Sequence, residues 1–243
     1  MGYVVVSLLA VIIGQVVAHL NKKMPPVVAE EITYKEYYST FLKDFKFSIK
    51  WPIILAVLFN ILMYFLGNNY NTYSLVAVTS ILMVVFSVDY RFQLIPDETH
   101  IALIIVAISN MIAGTVSITD GIFGGLIGGG IFLAIAVIAL IIYKREGMGF
   151  GDVKLMAALG LVFGVEKILV ISLLSFFIGA VIGGGLLIFT KKESNSYIAF
   201  GPFIVIGTLI LMVVEPQVVI DLYISLCSFI SDGISNIIYC FIK

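Results

Sequence analysis

Charged residues are scarce in this chain, and their scarcity excludes an ordinary soluble fold. They make up 12% of the 243 residues, whereas 61% are hydrophobic, and the mean hydropathy is +1.14. Soluble domains are typically about a quarter charged, and a water-soluble fold of this length could not bury so much apolar surface. The composition therefore predicts an integral membrane protein. The net charge of −1 gives no indication of nucleic-acid binding.

Cysteine and histidine are also rare, which argues against a metal site. The two cysteines, Cys227 and Cys240, form no CxxC pair, and the two histidines, His19 and His100, lie far apart in sequence. The chain has neither the HExxH motif of zinc proteases nor the GxSxG nucleophile elbow. We expect no metal, so any hydrolytic chemistry must come from other residue types.

Long apolar runs occupy most of the chain. Since a helix needs about 20 apolar residues to cross a bilayer, they predict an all-α polytopic transmembrane helix bundle with about eight membrane helices. We expect residues 1–243 to form a single integral membrane domain, in which 21–50 is a short cytoplasmic connecting segment. A ninth apolar stretch, 217–242, either crosses the membrane or lies at its surface. The predicted spans are 3–20, 51–67, 74–89, 99–117, 121–143, 153–165, 167–189 and 200–215.

The basic residues predict the orientation of the bundle. Twelve of the 14 Lys and Arg residues lie in the connections 21–50, 90–98, 144–154 and 190–199, which share one side if the spans alternate. Basic connections are usually cytoplasmic. Lys22 and Lys23 follow the first apolar run, as expected for a first membrane helix rather than a signal peptide.

Two acids stand at the predicted cytoplasmic edge of the membrane. Asp89 ends one apolar run and Asp152 begins another, 63 positions later. Acidic residues at membrane depth are functional candidates because their burial is costly. If the bundle brings the two together, they can share a proton, so that one carboxyl activates water while the other polarises a peptide carbonyl. This pattern predicts peptide hydrolysis without metal.

The segment "EGMGFGDVKL" places three glycines before Asp152. Gly147, Gly149 and Gly151 would let the backbone approach a substrate strand closely. The alternative is a flexible turn in which Asp152 is a helix N-cap. Lys154 either extends to the interface or balances the charge of Asp152.

The sequence "PDET" is typical of a helix start. Pro96 would close the preceding loop and Asp97 would cap the next helix. The competing interpretation places Asp97 in a functional site.

Three further segments lie within an expected peptidase core of 75–210. They are "VDYRFQLIPD", "REGMGFGDVKLMAALG" and "IAFGPFIVIG", the last containing Gly201 and Pro202. Together they resemble the bacterial type IV prepilin peptidases, the A24 family of GxGD-type intramembrane aspartyl proteases. The resemblance implies that Asp89 and Asp152 are catalytic. It also implies cleavage of the basic leader of prepilins or pseudopilins after a glycine, at the cytoplasmic face of the bacterial inner membrane. By position, Asp97, Glu98 and Glu146 are candidates for attracting that leader.

The chain also departs from the family pattern. Many members methylate the new N-terminus with S-adenosylmethionine, and many carry a GSFxNVVIxRLP-like stretch and two CxxC pairs that bind zinc. Here the corresponding region reads "GQVVAHLNKKMPP", residues 14–26, and the CxxC pairs are absent. The departure leaves the peptidase expectation intact and counts against methyl transfer. The chain is either a peptidase alone or a member that still uses S-adenosylmethionine without zinc.

Three alternatives stay open. A preflagellin-type or signal-peptide peptidase would share the GxGD segment. A proton-coupled transporter would use membrane acids as a relay, although the chain shows no paired inverted repeats. An inactive pilus-assembly partner would not need both aspartates.

Overall fold

The structure is a computed structural model that describes residues 2–23, 48–144, 148–190 and 199–242. In these residues all the regular secondary structure is helical, with no strand. The helices are α1 (Gly2–Lys23), α2 (Lys50–Leu66), α3 (Tyr70–Phe92), α4 (Asp97–Ile112), α5 (Ile118–Tyr143), α6 (Phe150–Thr190), α7 (Gly201–Val213) and α8 (Pro216–Ile242). Most of the connecting segment 21–50 lies outside the described residues.

The helices confirm an all-α polytopic membrane protein. Among the described residues, α1, α3, α5 and α6 are long and apolar enough to cross a membrane, and α7 with α8 forms a fifth candidate bent by 116°. Helix α2 is apolar but shorter, at 17 residues. Length and composition thus support four or five spans and do not confirm a count of eight.

Helix α6 joins two of the predicted spans, 153–165 and 167–189. The helix is broken at Gly164, whose backbone (φ 79°, ψ −177°) lies in a region that residues with a Cβ rarely adopt. Asp120, near the start of α5, accepts a hydrogen bond at Oδ1 from the Val165 backbone N–H at 3.1 Å. The carboxylate thereby satisfies an N–H freed by the break, as an N-cap does for the first turn of a helix.

Glycines allow α5 and α6 to pack with their backbones in contact. A Cβ at Gly160 would overlap the backbone of Gly124, and one at Gly128 would lie 2.7 Å from the Met156 carbonyl oxygen. Small residues at such an interface are the usual way for membrane helices to approach closely. This packing holds the first turns of α6 at one end of the bundle.

Helix α3 lies at the centre of the bundle and carries Asp89 near its end. It contacts α1, α2, α4 and α7, and 67% of an apolar 18-residue stretch of it is buried, compared with 17% for such a stretch of α5. A residue in the last turn of this helix is therefore surrounded by protein, whereas most of α5 faces outward.

Candidate active site

Asp89 lies in the last turn of α3 and is only 5% exposed. The helix ends at Gln93, whose left-handed backbone (φ 54°) lets its N–H donate to the Asp89 carbonyl oxygen at 2.9 Å. The carboxyl group points into the protein, and its Oδ2 has no hydrogen-bond partner among the described residues.

The start of α7 packs directly against the Asp89 carboxyl group. The backbone N–H of Gly201 donates a hydrogen bond to it. A Cβ at Gly201 would lie 2.5 Å from Asp89 Oδ2, so only glycine fits without a shift. Pro202 occupies the first turn of α7, where its missing N–H costs nothing. The positive end of the α7 dipole therefore faces the carboxyl group.

Asp152 is the third residue of α6 and is 7% exposed. Its backbone N–H donates to the Gly149 carbonyl oxygen at 3.1 Å, and its carboxyl group accepts from the Gly149 N–H. The alternative of Asp152 as the N-cap is therefore wrong, because it occupies the N3 position and reaches back to the residue before the helix, as in a capping box. Its Oδ1 has no hydrogen-bond partner in the described part of the chain.

The bundle places the two carboxyl groups within electrostatic range of each other. Asp89 and Asp152 interact electrostatically, both are buried, and each keeps one oxygen unpartnered among the described residues. Buried polar atoms are normally hydrogen-bonded. Two such exceptions at the ends of two different helices define a site that can accept hydrogen bonds from water or substrate.

Asp97 pairs with Lys154 instead of capping α4. Its Oδ1 accepts a hydrogen bond from Lys154 Nζ at 2.8 Å, and this ammonium group holds the pKa of the exposed Asp97 carboxyl below its usual range. The N-cap of α4 is Pro96, which offers no side-chain hydrogen bond. The predicted capping role of Asp97 was therefore wrong. The two roles predicted for Lys154, extension to the interface or charge balance for Asp152, stay predictions.

Pro96 is buried, and its carbonyl oxygen accepts from both the backbone N–H and the side chain of Thr99, at 3.1 and 2.6 Å. The residue thus closes the turn between α3 and α4, as predicted. Glu98 in the same turn is exposed.

His100 is the residue near the site that the sequence interpretation missed. Its imidazole is buried, with Nε2 3.2 Å from the Gly151 carbonyl oxygen. The available signal was its position one helical turn after Asp97, which places both side chains on the same face of a helix. The scarcity of histidine had been used only as an argument against a metal site.

The glycines of the GxGD segment are only partly described. Gly147, with Glu146, lies outside the described residues. Gly149 is exposed. Gly151 is half-buried, and a Cβ added there would lie 3.3 Å from Ile95 Cβ. The predicted docking of a substrate strand on these glycines stays a prediction. Within the described ranges no group of three or more His, Cys, Asp or Glu side chains could hold a metal ion.

The fold and the site define a polytopic helical membrane protein with a buried pair of carboxyl groups at helix ends. Residues 75–184, which contain both aspartates, match the type IV leader peptidase family. Over this segment the match confirms the resemblance seen in the sequence. Gly201 and Pro202 lie beyond the matched segment. No solved structure matches the chain significantly.

Several curated relatives carry the name prepilin leader peptidase/N-methyltransferase. The chain is 29% identical to the one from Aeromonas hydrophila over 143 residues, which are 58% of this chain and 49% of the relative. For Pseudomonas aeruginosa the identity is 28%, covering 65% and 56% of the two chains, and for Escherichia coli it is 30%, covering 51% and 55%. The chain thus spans about half the length of these relatives.

Proposed function

We propose that this chain is a prepilin leader peptidase that hydrolyses its substrate with the aspartate pair. The observation that carries the proposal is the meeting of two buried carboxyl groups, Asp89 and Asp152, each with one oxygen unpartnered among the described residues. Both lie in the segment that matches the leader peptidase family.

In the proposed reaction the two carboxyl groups share one proton. The ionised carboxylate removes a proton from the attacking water, and the protonated carboxyl donates its proton to the peptide carbonyl oxygen. Collapse of the resulting gem-diol breaks the C–N bond. One gem-diol hydroxyl returns its proton to the carboxylate that had protonated the carbonyl oxygen, and the proton taken from water passes to the leaving amine. Water and two carboxyl groups supply every atom and proton, so the step needs no metal.

The proposed substrates are prepilins or pseudopilins with a short basic leader, cleaved after a glycine at the cytoplasmic face of the inner membrane. The basic connections support this orientation. Of the two described rim acids, Glu98 is the better attractor for a basic leader, because Asp97 is already neutralised by Lys154.

The proposal does not extend to methyl transfer. The relatives' names include an N-methyltransferase, but the chain has no CxxC pair. Most of the segment that follows the 14–26 counterpart lies outside the described residues. We assign no described residues to the binding of S-adenosylmethionine, and we propose peptidase activity alone.

The test is leader cleavage of a purified prepilin by the full-length protein in detergent, with EDTA present. Wild type should cleave, Asp89→Asn and Asp152→Asn should not, and Asp97→Asn should keep most activity. Cleavage by Asp89→Asn at the wild-type rate would refute the aspartate pair. If wild type cleaves no prepilin, the peptidase proposal is wrong, and proton flux in proteoliposomes would then test the transporter alternative.

A further inference from the structure

The turn that follows Asp89 also contacts the start of the helix that carries Asp152. Residues 93–96 connect α3 to α4, so this turn is joined covalently to the Asp89 helix. Three side chains of this turn and of the start of α4 reach α6: Ile95 packs against Gly151, Asp97 pairs with Lys154, and His100 bonds to the Gly151 carbonyl oxygen.

The three contacts differ in how firmly they can hold α6. Asp97 and Lys154 are largely exposed, and exposed ion pairs contribute little. The Ile95 contact is apolar and carries no direction. The His100 contact is directional, is made by a side chain that is 8% exposed, and ends on the peptide group that links Gly151 to Asp152.

The chemistry of this contact assigns the imidazole proton. A carbonyl oxygen only accepts hydrogen bonds, so Nε2 must carry a proton to bind Gly151. In the neutral ring Nδ1 is then bare, and it lies 3.5 Å from Asp97 Oδ1, beyond the length of a charge-assisted hydrogen bond. Protonation of Nδ1 would leave the Nε2–H donor in place, so the contact with Gly151 persists in both forms.

We infer that His100 is a positioning residue that orients the Gly151–Asp152 peptide group and thereby holds the Asp152 carboxyl group against Asp89. This inference rests on the proposed peptidase function. The Gly151 carbonyl has two lone pairs, so it can accept from His100 and also take part in the first helical turn of α6. A misplacement of about 1 Å at a reacting group can cost about 100-fold in rate.

The test compares substitutions at His100 with a matched control. His100→Leu removes the donor, while His100→Gln restores a terminal N–H at similar reach. Asn110→Leu is the control, because Asn110 is 4% exposed, lies on the same helix and accepts from Ser74 Oγ at 2.6 Å. It lies ten residues along α4, or about 15 Å from His100.

Prepilin cleavage should separate positioning from general destabilisation. We expect His100→Leu to lower kcat about 10- to 100-fold with KM changed less than about threefold. His100→Gln should lie within about fivefold of wild type, and Asn110→Leu should keep its kcat although it melts earlier. The inference is overturned if His100→Leu keeps its kcat, if Gln fails to rescue, or if Asn110→Leu loses as much.

A second readout does not depend on peptidase activity. The Cβ position of Gly151 lies 3.3 Å from Ile95 Cβ, close to the Cβ separation of about 3.5–4.5 Å in disulfides. Ile95→Cys with Gly151→Cys, in a Cys227→Ser, Cys240→Ser background, should cross-link on mild oxidation. Adding His100→Leu should slow cross-linking severalfold, whereas His100→Gln or Asn110→Leu should not. An unchanged rate with His100→Leu overturns the inference, even if wild type proves not to cleave prepilin.

Discussion

Two aspartates are found at different points along helix α6, and one is buried whereas the other is exposed. Asp152 is buried in its first turn and keeps one oxygen without a partner in the described chain. Asp120, from α5, is exposed and its Oδ1 accepts the Val165 N–H after the break at Gly164. Val165 lies 13 residues beyond Asp152, or about 20 Å along the axis.

The difference between these two carboxylates separates structure from chemistry. A carboxylate that bonds a free helical N–H stabilises the fold and has little capacity left for a substrate. A buried carboxyl with an unpartnered oxygen costs stability, so it indicates a function that repays that cost. An aspartate at a helix start can therefore be structural or functional, and only its burial and its hydrogen-bond partners distinguish the two roles.

The largest effect should come from removing the charge at the aspartate pair. Asp89→Asn and Asp152→Asn should each lower cleavage about 1,000-fold or more, because acid–base catalysis by a positioned group contributes about 10²–10⁴-fold. Asp120→Asn should stay within about threefold of wild type, because its carboxylate takes no part in the reaction. Single-turnover cleavage of a purified prepilin measures all three, and an equal loss in Asp120→Asn would contradict the comparison.

Crowding the Asp89 carboxyl should have the next largest effect. Gly201→Ala places a Cβ 2.5 Å from Asp89 Oδ2, and the forced shift should lower kcat about 10- to 100-fold. Gly207→Ala is the matched control on the same helix, where the Cβ meets Ser175 Oγ at 3.0 Å. The control should stay close to wild type in kcat, and equal losses would mean that α7 tolerates no added methyl group.

Removing the structural carboxylate should change stability and not catalysis. Asp120→Ala leaves the Val165 N–H unbonded and should destabilise the protein by about 1 kcal/mol, the usual cost of losing an N-cap. Thermal unfolding in detergent checks the stability, and kcat below the melting temperature should stay near wild type. A normal melting temperature with impaired cleavage would reverse the roles assigned to the two regions.

The smallest effect should come from the exposed ion pair. Asp97→Asn and Lys154→Gln should each change kcat less than about threefold, because exposed pairs contribute little. Because the pKa of Asp97 is lowered in the folded protein, any stabilisation is present above the unfolded pKa of about 3.9 and is lost as the pH falls through the folded value. The difference in melting temperature between wild type and Asp97→Asn should therefore disappear in acid, and a difference that grows in acid would contradict the pairing.

Much of the fold could be predicted from the long apolar runs of the sequence and the polar segments between them. The predicted ends of the helices near residues 89, 143 and 200 agree with α3, α5 and α7 to within three residues, because polar residues and turns mark those ends. The boundary predicted between the spans 153–165 and 167–189 is confirmed, because two helical segments of α6 meet at the break at Gly164. The 116° turn between α7 and α8 depends on packing that a hydropathy pattern does not contain.

The candidate site was predicted in part. Asp89 and Asp152 were recognised because acids are costly at the membrane edge, and the bundle places them within electrostatic range of each other. The role of Asp97 was misread, because a helix-start motif predicts capping but does not reveal a cation 57 positions away. His100 was missed for the same reason: its contact with Gly151 spans 51 positions and exists only after α4 and α6 pack.

The sequence by itself determined the membrane class, the helical elements, the two acids at the edge and the leader peptidase resemblance, because hydropathy, turn residues and short motifs act locally along the chain. Only the tertiary structure decided which carboxyl groups meet, which are capped, and that Gly201 and His100 contact the site. Those contacts depend on the distances between side chains from different helices, and helix packing alone sets these distances.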